Sequence, residues 1–114
     1  MLKYEIYVKD IEEMIQRLER QLKKGRINFD KDVDSYDLIV LRLQVIGQAI
    51  KEIPKKILSQ IPEVNWRIFV SFRNISSHNY GAINKEIFVR ILKREIPILK
   101  KNIKKLKKVL HDEE

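Results

Sequence analysis

The sequence contains no cysteine, and it has only three glycines and three prolines among its 114 residues. Without cysteine the chain can form neither disulfides nor thiolate metal sites, which fits the reducing cytoplasm where we expect it to act. No apolar run approaches the roughly 18 residues of a membrane span, and the N-terminus lacks the plan of a signal peptide. No linker-like stretch or repeat divides the chain, so we expect one domain, residues 1–114, that does not enter a membrane.

The charge balance is strongly basic, since 24 lysines and arginines face 16 acidic residues and leave a net charge of +8. A basic balance can serve solubility, or it can serve an anionic partner such as nucleic acid. The densest run is six lysines within residues 100–108, a stretch without an acidic residue. Charge alone leaves both explanations open.

Apolar residues recur at steps of three and four in several segments, which indicates amphipathic helices. The first stripe covers residues 4–24 and is followed by Gly25, a residue that often ends helices. The second helix begins in an aspartate-rich connection, where one of Asp30, Asp32 or Asp34 is expected to act as its N-cap. Its apolar stripe is broad enough for a helix that packs on two sides.

Glycine and proline mark further details of the helices. Gly47 lies inside the second helix and would let another helix approach closely. Pro54 and Pro62 bracket residues 55–61, which we expect to form a separate turn or a kinked extension. Pro97 should bend the last helix.

Two asparagines mark the starts of the remaining helices. Asn65 is a good N-cap for a third helix from Trp66, for which Gly81 is a plausible end. Asn84 should cap a fourth. Because no segment alternates like a strand, the sequence predicts an all-α, up-and-down bundle of four to five helices, with apolar area left over for a dimer interface.

One polar run, residues 73–80, does not fit a plain bundle. On a wheel of about 100° per residue, Arg73 and Ser77 continue the apolar stripe of Trp66 and Phe69. An arginine in such a position needs a partner or a bound anion, because an unpaired buried charge is costly. The run is therefore the candidate functional site.

The residue types in this run suit phosphate chemistry. Arg73 can hold phosphate oxygens with its planar fork of donors, and His78 can take or give a proton near neutral pH. RNA carries its own nucleophile, the 2′-hydroxyl, so this pair could cleave RNA without a metal or cofactor. Asn74, Ser77 and Asn79 could orient the histidine or the substrate.

The spacing of the pair suggests that one chain carries half a site. On a regular helix Arg73 and His78 point about 140° apart and lie about 7.5 Å apart along the axis. A two-fold dimer could assemble a better site, as could a helix that ends near Ser77. Residue types alone give equal support to a surface arginine beside a capping histidine.

Wider motifs favour the functional interpretation. They are Ile46-Gly47-Gln48-Ala49, Trp66-x6-Arg73-Asn74-x3-His78-x-Tyr80, and Ile96-Pro97-x-Leu99 in the long last helix. Together, and over nearly the whole chain, they resemble the HepT-type toxins of the HEPN superfamily, the toxin halves of HEPN/MNT toxin–antitoxin pairs.

This resemblance implies a HEPN bundle that forms a homodimer and cleaves RNA without metal, with Arg73 and His78 as the catalytic pair. Asn74 would be the polar residue that follows the arginine. The partner would be a minimal nucleotidyltransferase (MNT) antitoxin that transfers AMP to the motif tyrosine, here Tyr80, and so blocks the cleft, as in type VII systems. The sequence departs from the family at Gln48, where a glutamate is usual.

The sequence also allows two alternative functions. The chain could be a non-catalytic helical subunit of a nucleotidyltransferase complex, in which the polar run serves recognition. It could also be an interaction domain whose lysine-rich last helix meets nucleic acid electrostatically, a mode that predicts steep dependence on salt.

Overall fold

The computed structural model describes residues 3–24 and 31–113, and over these ranges it contains helices and no strand. The predicted all-α class is confirmed. The α-helices are α1 (Glu5–Lys23), α2 (Val33–Glu52), α3 (Lys55–Leu58), α4 (Trp66–His78), α5 (Lys85–Arg90) and α6 (Ile96–Glu113). None of these helices is both long enough and apolar enough to pass through a bilayer.

Three helices begin at the side-chain caps expected from sequence. Asp32, Asn65 and Asn84 each accept a hydrogen bond from the backbone N–H three residues further on, at the starts of α2, α4 and α5. Each bond satisfies a donor that has no partner within the helix. Gly25 and Asp30, which were also considered, lie outside the described residues.

Helix α4 ends at His78, three residues before the predicted end at Gly81. Asn79 leaves the helix in an extended conformation (φ −149°, ψ 92°), and a 3₁₀ turn over Tyr80–Ala82 follows. Asparagine favours such exits because its side chain competes for backbone hydrogen bonds. The last residues of the polar run therefore lie beyond the helix.

Two prolines stand beside interruptions of regular α-helix, and the separate turn expected after Pro54 is confirmed. Pro54 precedes the single turn α3, which is separate from α2. Ahead of Pro97 the chain forms a π-helical segment, Ile91–Glu95, that joins α5 to α6. Proline lacks an N–H, and its ring would clash with the carbonyl four residues earlier, so a widened turn at this point is a physically reasonable adjustment.

The core lies between α1, α2, α4 and α6, with α2 packed against both α1 and α4. This arrangement matches the two-sided packing expected of the α2 stripe. The indole N–H of Trp66 donates to the carbonyls of Leu58 and Ile61, at 3.0 and 3.1 Å, and ties the start of α4 to α3. The large side chains with almost no exposure include Ile11, Leu18, Leu43, Ile46, Phe69, Phe88, Ile91 and Leu99.

Candidate active site at the contact between α2 and α4

The backbones of α2 and α4 approach closely at Gly47. A Cβ atom built there would lie 2.5 Å from the carbonyl oxygen of Phe69 and 2.6 Å from Cβ of Arg73. Only a residue without a side chain allows this contact, so the expected close approach at Gly47 is confirmed. It places the stem of Arg73 directly against α2.

Arg73 is half-buried and lines a groove of about 590 Å³ between α1, α2 and α4. Its Nη1 donates to Oδ1 of the adjacent Asn74 at 3.1 Å, the only hydrogen bond that its guanidinium makes within the described part of the chain. A guanidinium carries five N–H donors, so most remain available for a ligand. The polar lining of this groove comprises Asp10, Gln44, Gln48, Glu52, Arg73 and Ser77.

Gln48 lies in the same groove but does not bind Arg73. Its Nε2 donates to Oε1 of Glu52 at 2.9 Å, while its own Oε1 is buried and has no hydrogen-bond partner among the described atoms. A buried acceptor without a partner costs about 1–3 kcal/mol. Gln48 thus offers an unused acceptor close to the arginine.

Ser76 provides a polar tie between α2 and α4. It is buried, and its Oγ accepts from Nε2 of Gln44 at 3.0 Å and lies 3.3 Å from the carbonyl oxygen of Arg73. Ser77 was predicted from sequence to support the site, whereas Ser76 and Gln44 were not. The available signal was that Ser76 follows Arg73 by three residues, which places both on neighbouring parts of the helix surface.

His78 is exposed at the last position of α4 and does not line the groove that contains Arg73 and Ser77. The arginine and the histidine of one chain therefore do not share a groove. This agrees with the helical wheel, on which the two side chains point in different directions. Asn79 is also exposed, and Asn74 lines a different groove along α4. Within the described residues there is no cluster of three or more His, Asp or Glu side chains able to hold a metal.

Tyr80 lies next to the N-terminal part of α2. Its hydroxyl donates to Oδ1 of Asp37, and its ring meets the ring of Tyr36 edge-on at 5.8 Å, while 47% of the residue stays exposed. Desolvation of the hydroxyl, followed by the bond to Asp37, raises the pKa of Tyr80 to about 12. The role of Asp37 was missed, because residues so far apart in sequence give no local signal.

Comparison with known proteins agrees with the resemblance. Residues 11–106 match the model of a family described as "Ribonuclease HepT-like". The chain belongs to this HepT-like ribonuclease family. The family predicted from the motifs is thereby confirmed, and the match spans most of the bundle.

Several relatives are 28–34% identical to the chain over the aligned residues. "Probable ribonuclease HepT" of Thermococcus cleftensis is 30% identical over 90% of this chain and 94% of its own length. A "Putative RNase" of Methanocaldococcus jannaschii is 34% identical over 75% of this chain and 82% of its own length. A second protein of that organism, "Gamma-glutamylcyclotransferase and putative RNase", is 28% identical over 89% of this chain, but the match covers only 46% of that protein. No solved structure matches the chain.

Proposed function

We propose that this HepT-like protein is a metal-independent endoribonuclease whose active site combines Arg73 and His78 from two copies of a single HEPN domain, residues 1–114. The observation that supports it most is the setting of Arg73. Its stem packs against Gly47. Its guanidinium lies in the groove between α1, α2 and α4 and makes one hydrogen bond to the described part of the chain. A half-buried arginine held this way is suited to clamp a phosphate.

The proposed reaction uses the nucleophile of RNA itself. The 2′-oxygen attacks the adjacent phosphorus and loses its proton to a His78 imidazole, while the bond from phosphorus to the 5′-oxygen breaks. A histidine then returns a proton to the departing 5′-oxygen, and the products are a 2′,3′-cyclic phosphate and a 5′-hydroxyl. Arg73 stabilises the charge that develops on the phosphate oxygens. Asn74, Ser77 and Asn79 would position these groups.

The catalytic test compares the two histidines of the chain. Purified protein is incubated with single-stranded RNA in EDTA, as wild type, His78→Ala and His111→Ala. His111 is exposed on α6 and is the matched control. We expect cleavage in EDTA, a loss of about 10²–10⁴-fold for His78→Ala, and no loss for His111→Ala. Equal cleavage by all three proteins would refute the role of His78.

A mixing experiment tests the dimer. If each site takes Arg73 from one copy and His78 from the other, Arg73→Ala and His78→Ala chains are each inactive alone. Their mixed dimer contains one intact site, so random exchange should restore about a quarter of wild-type activity. A site built within one chain predicts no recovery on mixing. Arg94→Ala, which removes an exposed arginine from the π-helical segment, is the control for Arg73→Ala.

We further propose that the ribonuclease is the toxin of a type VII-like pair, silenced when an MNT nucleotidyltransferase antitoxin attaches AMP to Tyr80. The hydroxyl is bonded to Asp37 in the unmodified chain. A phosphate on that oxygen would be repelled by the Asp37 carboxylate, so the modified side chain should swing away from Tyr36. The turn that contains it directly follows His78 and Asn79, so such a displacement would reach the catalytic end of α4.

This regulation is tested with the antitoxin and ATP. The Tyr80 oxygen would take AMP from ATP with release of pyrophosphate, so mass spectrometry should place one AMP group on Tyr80. Cleavage should fall in proportion to the modified fraction. Tyr80→Phe should remain unmodified and active, whereas Tyr4→Phe, far from this turn in the sequence and outside the groove of Arg73, should behave as wild type. Modification elsewhere, or modification without loss of cleavage, would contradict the proposal.

The second candidate, a non-catalytic subunit of a nucleotidyltransferase complex, is favoured by one observation. Gln48 is bonded to Glu52 and not to Arg73, so the arginine lacks the carboxylate that the family resemblance would place there. A wild type that cuts no RNA yet binds the nucleotidyltransferase in a fixed ratio would support this candidate. Under it, Gln48→Glu should restore cleavage, whereas Gln16→Glu, which adds the same charge at an exposed position of α1, should not.

A further inference from the structure

A second groove, of about 570 Å³, lies along α4 beside α3 and the C-terminal end of α2. Its charged lining is entirely basic, formed by Lys51, Lys55 and Arg67, all of which are exposed. Ser71 and Asn74 add polar groups, and the other lining residues are apolar. We call this feature the cationic groove.

The cations of this groove differ from the lysines that dominate the sequence. On α6, half of the six lysines within residues 100–108 are neutralised by acids from other parts of the fold. These pairs are Lys100 with Glu19 at 2.7 Å, Lys105 with Glu63 at 2.6 Å, and Lys107 with Glu12 at 2.9 Å. Within the described residues no carboxylate forms an ion pair with Lys51, Lys55 or Arg67. The positive field is therefore less compensated here than on the more lysine-rich helix.

Asn74 connects the cationic groove to the candidate active site. It lines the groove, and its Oδ1 accepts the hydrogen bond from Nη1 of Arg73. Arg67 precedes Asn74 by seven residues, which is two helical turns or about 10 Å along α4. The hydrogen bond between Arg73 and Asn74 thus links the candidate active site to the cations of this groove.

The lining also suggests which anion fits. Between the cations lies an apolar floor that includes Leu58, Val70 and Trp66. The Trp66 ring is fixed by its two indole hydrogen bonds, so this floor is preformed. Spaced cations beside an apolar surface suit a single nucleic acid strand, whose phosphates and base faces need both.

We propose that the cationic groove binds the phosphates of single-stranded RNA next to the bond that is cut. The proposal rests on the ribonuclease function proposed above and adds the path of the substrate. An acidic surface of a nucleotidyltransferase could meet the same cations. The strand is favoured because Asn74, which lines this groove, is hydrogen-bonded to Arg73, where the cleaved phosphate would lie.

The test uses full-length His78→Ala protein, so that labelled single-stranded RNA is bound without being cut. Into it we introduce Lys51→Ala, Lys55→Ala and Arg67→Ala together. The matched control carries Lys101→Ala, Lys104→Ala and Lys108→Ala, which remove the same charge from exposed positions of α6. Circular dichroism and melting curves confirm that both fold.

The logarithm of the binding constant falls linearly with the logarithm of salt concentration. Losing three phosphate contacts should make that slope shallower by about 2, and it should weaken binding by about a hundredfold at about 0.1 M salt. The control should change the slope by less than half as much. In protein with His78 intact, the groove substitutions should raise KM and leave kcat nearly unchanged. They remove contacts that hold the substrate equally in the ground state and in the transition state.

Several results would overturn the inference. Equal losses in the two triple variants would show a general charge effect and no site. Normal RNA binding with loss of the nucleotidyltransferase would make the groove a protein-docking surface. If the wild type cuts RNA and the groove variant binds and cuts like it, the groove proposal fails alone. If the wild type neither binds nor cuts RNA, the ribonuclease function fails first and the groove proposal with it.

Discussion

Replacing Gly47 with alanine tests whether the helix contact at Gly47 sets the position of Arg73. The added methyl would lie 2.5 Å from the Phe69 carbonyl oxygen and 2.6 Å from Cβ of Arg73. Both neighbours are rigid, since one is backbone and the other is the first atom of a side chain. Relief to an ordinary contact therefore requires α2 and α4 to separate locally by about 1 Å.

Two opposing terms set the expected change in stability on Gly47→Ala. Overpacking a close contact costs about 1–3 kcal/mol, and with two clashes the upper part of that range applies. Alanine in place of glycine within a helix gains about 1 kcal/mol. We expect the free energy of unfolding to fall by about 1–2 kcal/mol. Cleavage should fall further, on the order of a hundredfold, because a shift of about 1 Å in Arg73 misplaces the phosphate clamp.

Urea denaturation measures the first effect of Gly47→Ala, and RNA cleavage under folding conditions measures the second. Gly81→Ala is the control, because a methyl there meets only Oδ1 of Asn79 at an ordinary 3.6 Å. That variant should stay within about 0.5 kcal/mol of wild type and keep its activity. If Gly47→Ala matched it in both assays, the reasoning from the helix contact to the clamp would be wrong.

Two further predictions concern polar pairs. Asp37→Ala should lower the pKa of Tyr80 from about 12 toward 10.0, seen in a near-ultraviolet absorbance titration with Tyr80→Phe as reference. Because the folded pKa is the raised one, stability should fall as pH rises from about 10 to about 12 and not respond to this group below that window. Arg90 and Glu95 pair at 3.0 Å with side chains 48% and 4% exposed, so Arg90→Ala, which strands a buried carboxylate, should cost about 3 kcal/mol. In urea denaturation Glu95→Gln should cost clearly less; equal costs would contradict this asymmetry.

The positions of the helices could be predicted because their signals are local. Asp32, Asn65 and Asn84 each act on a donor three residues away, so a cap is visible in a short stretch of sequence. The predicted end of α4 at Gly81 was wrong, because the local signals at this point compete. Two helix-ending residues, Asn79 and Gly81, stand close together, and the exit occurs at the first of them.

The sequence by itself determined the helical class, the caps and the motif of residues 73–80 that led to the HepT-like family. Tertiary structure alone decided what surrounds that motif: Arg73 against Gly47, Tyr80 bonded to Asp37, and Asn74 at the end of the cationic groove. Helical periodicity specifies which residues share a face. It does not specify which face of a distant helix they meet, because that depends on how whole helices pack together.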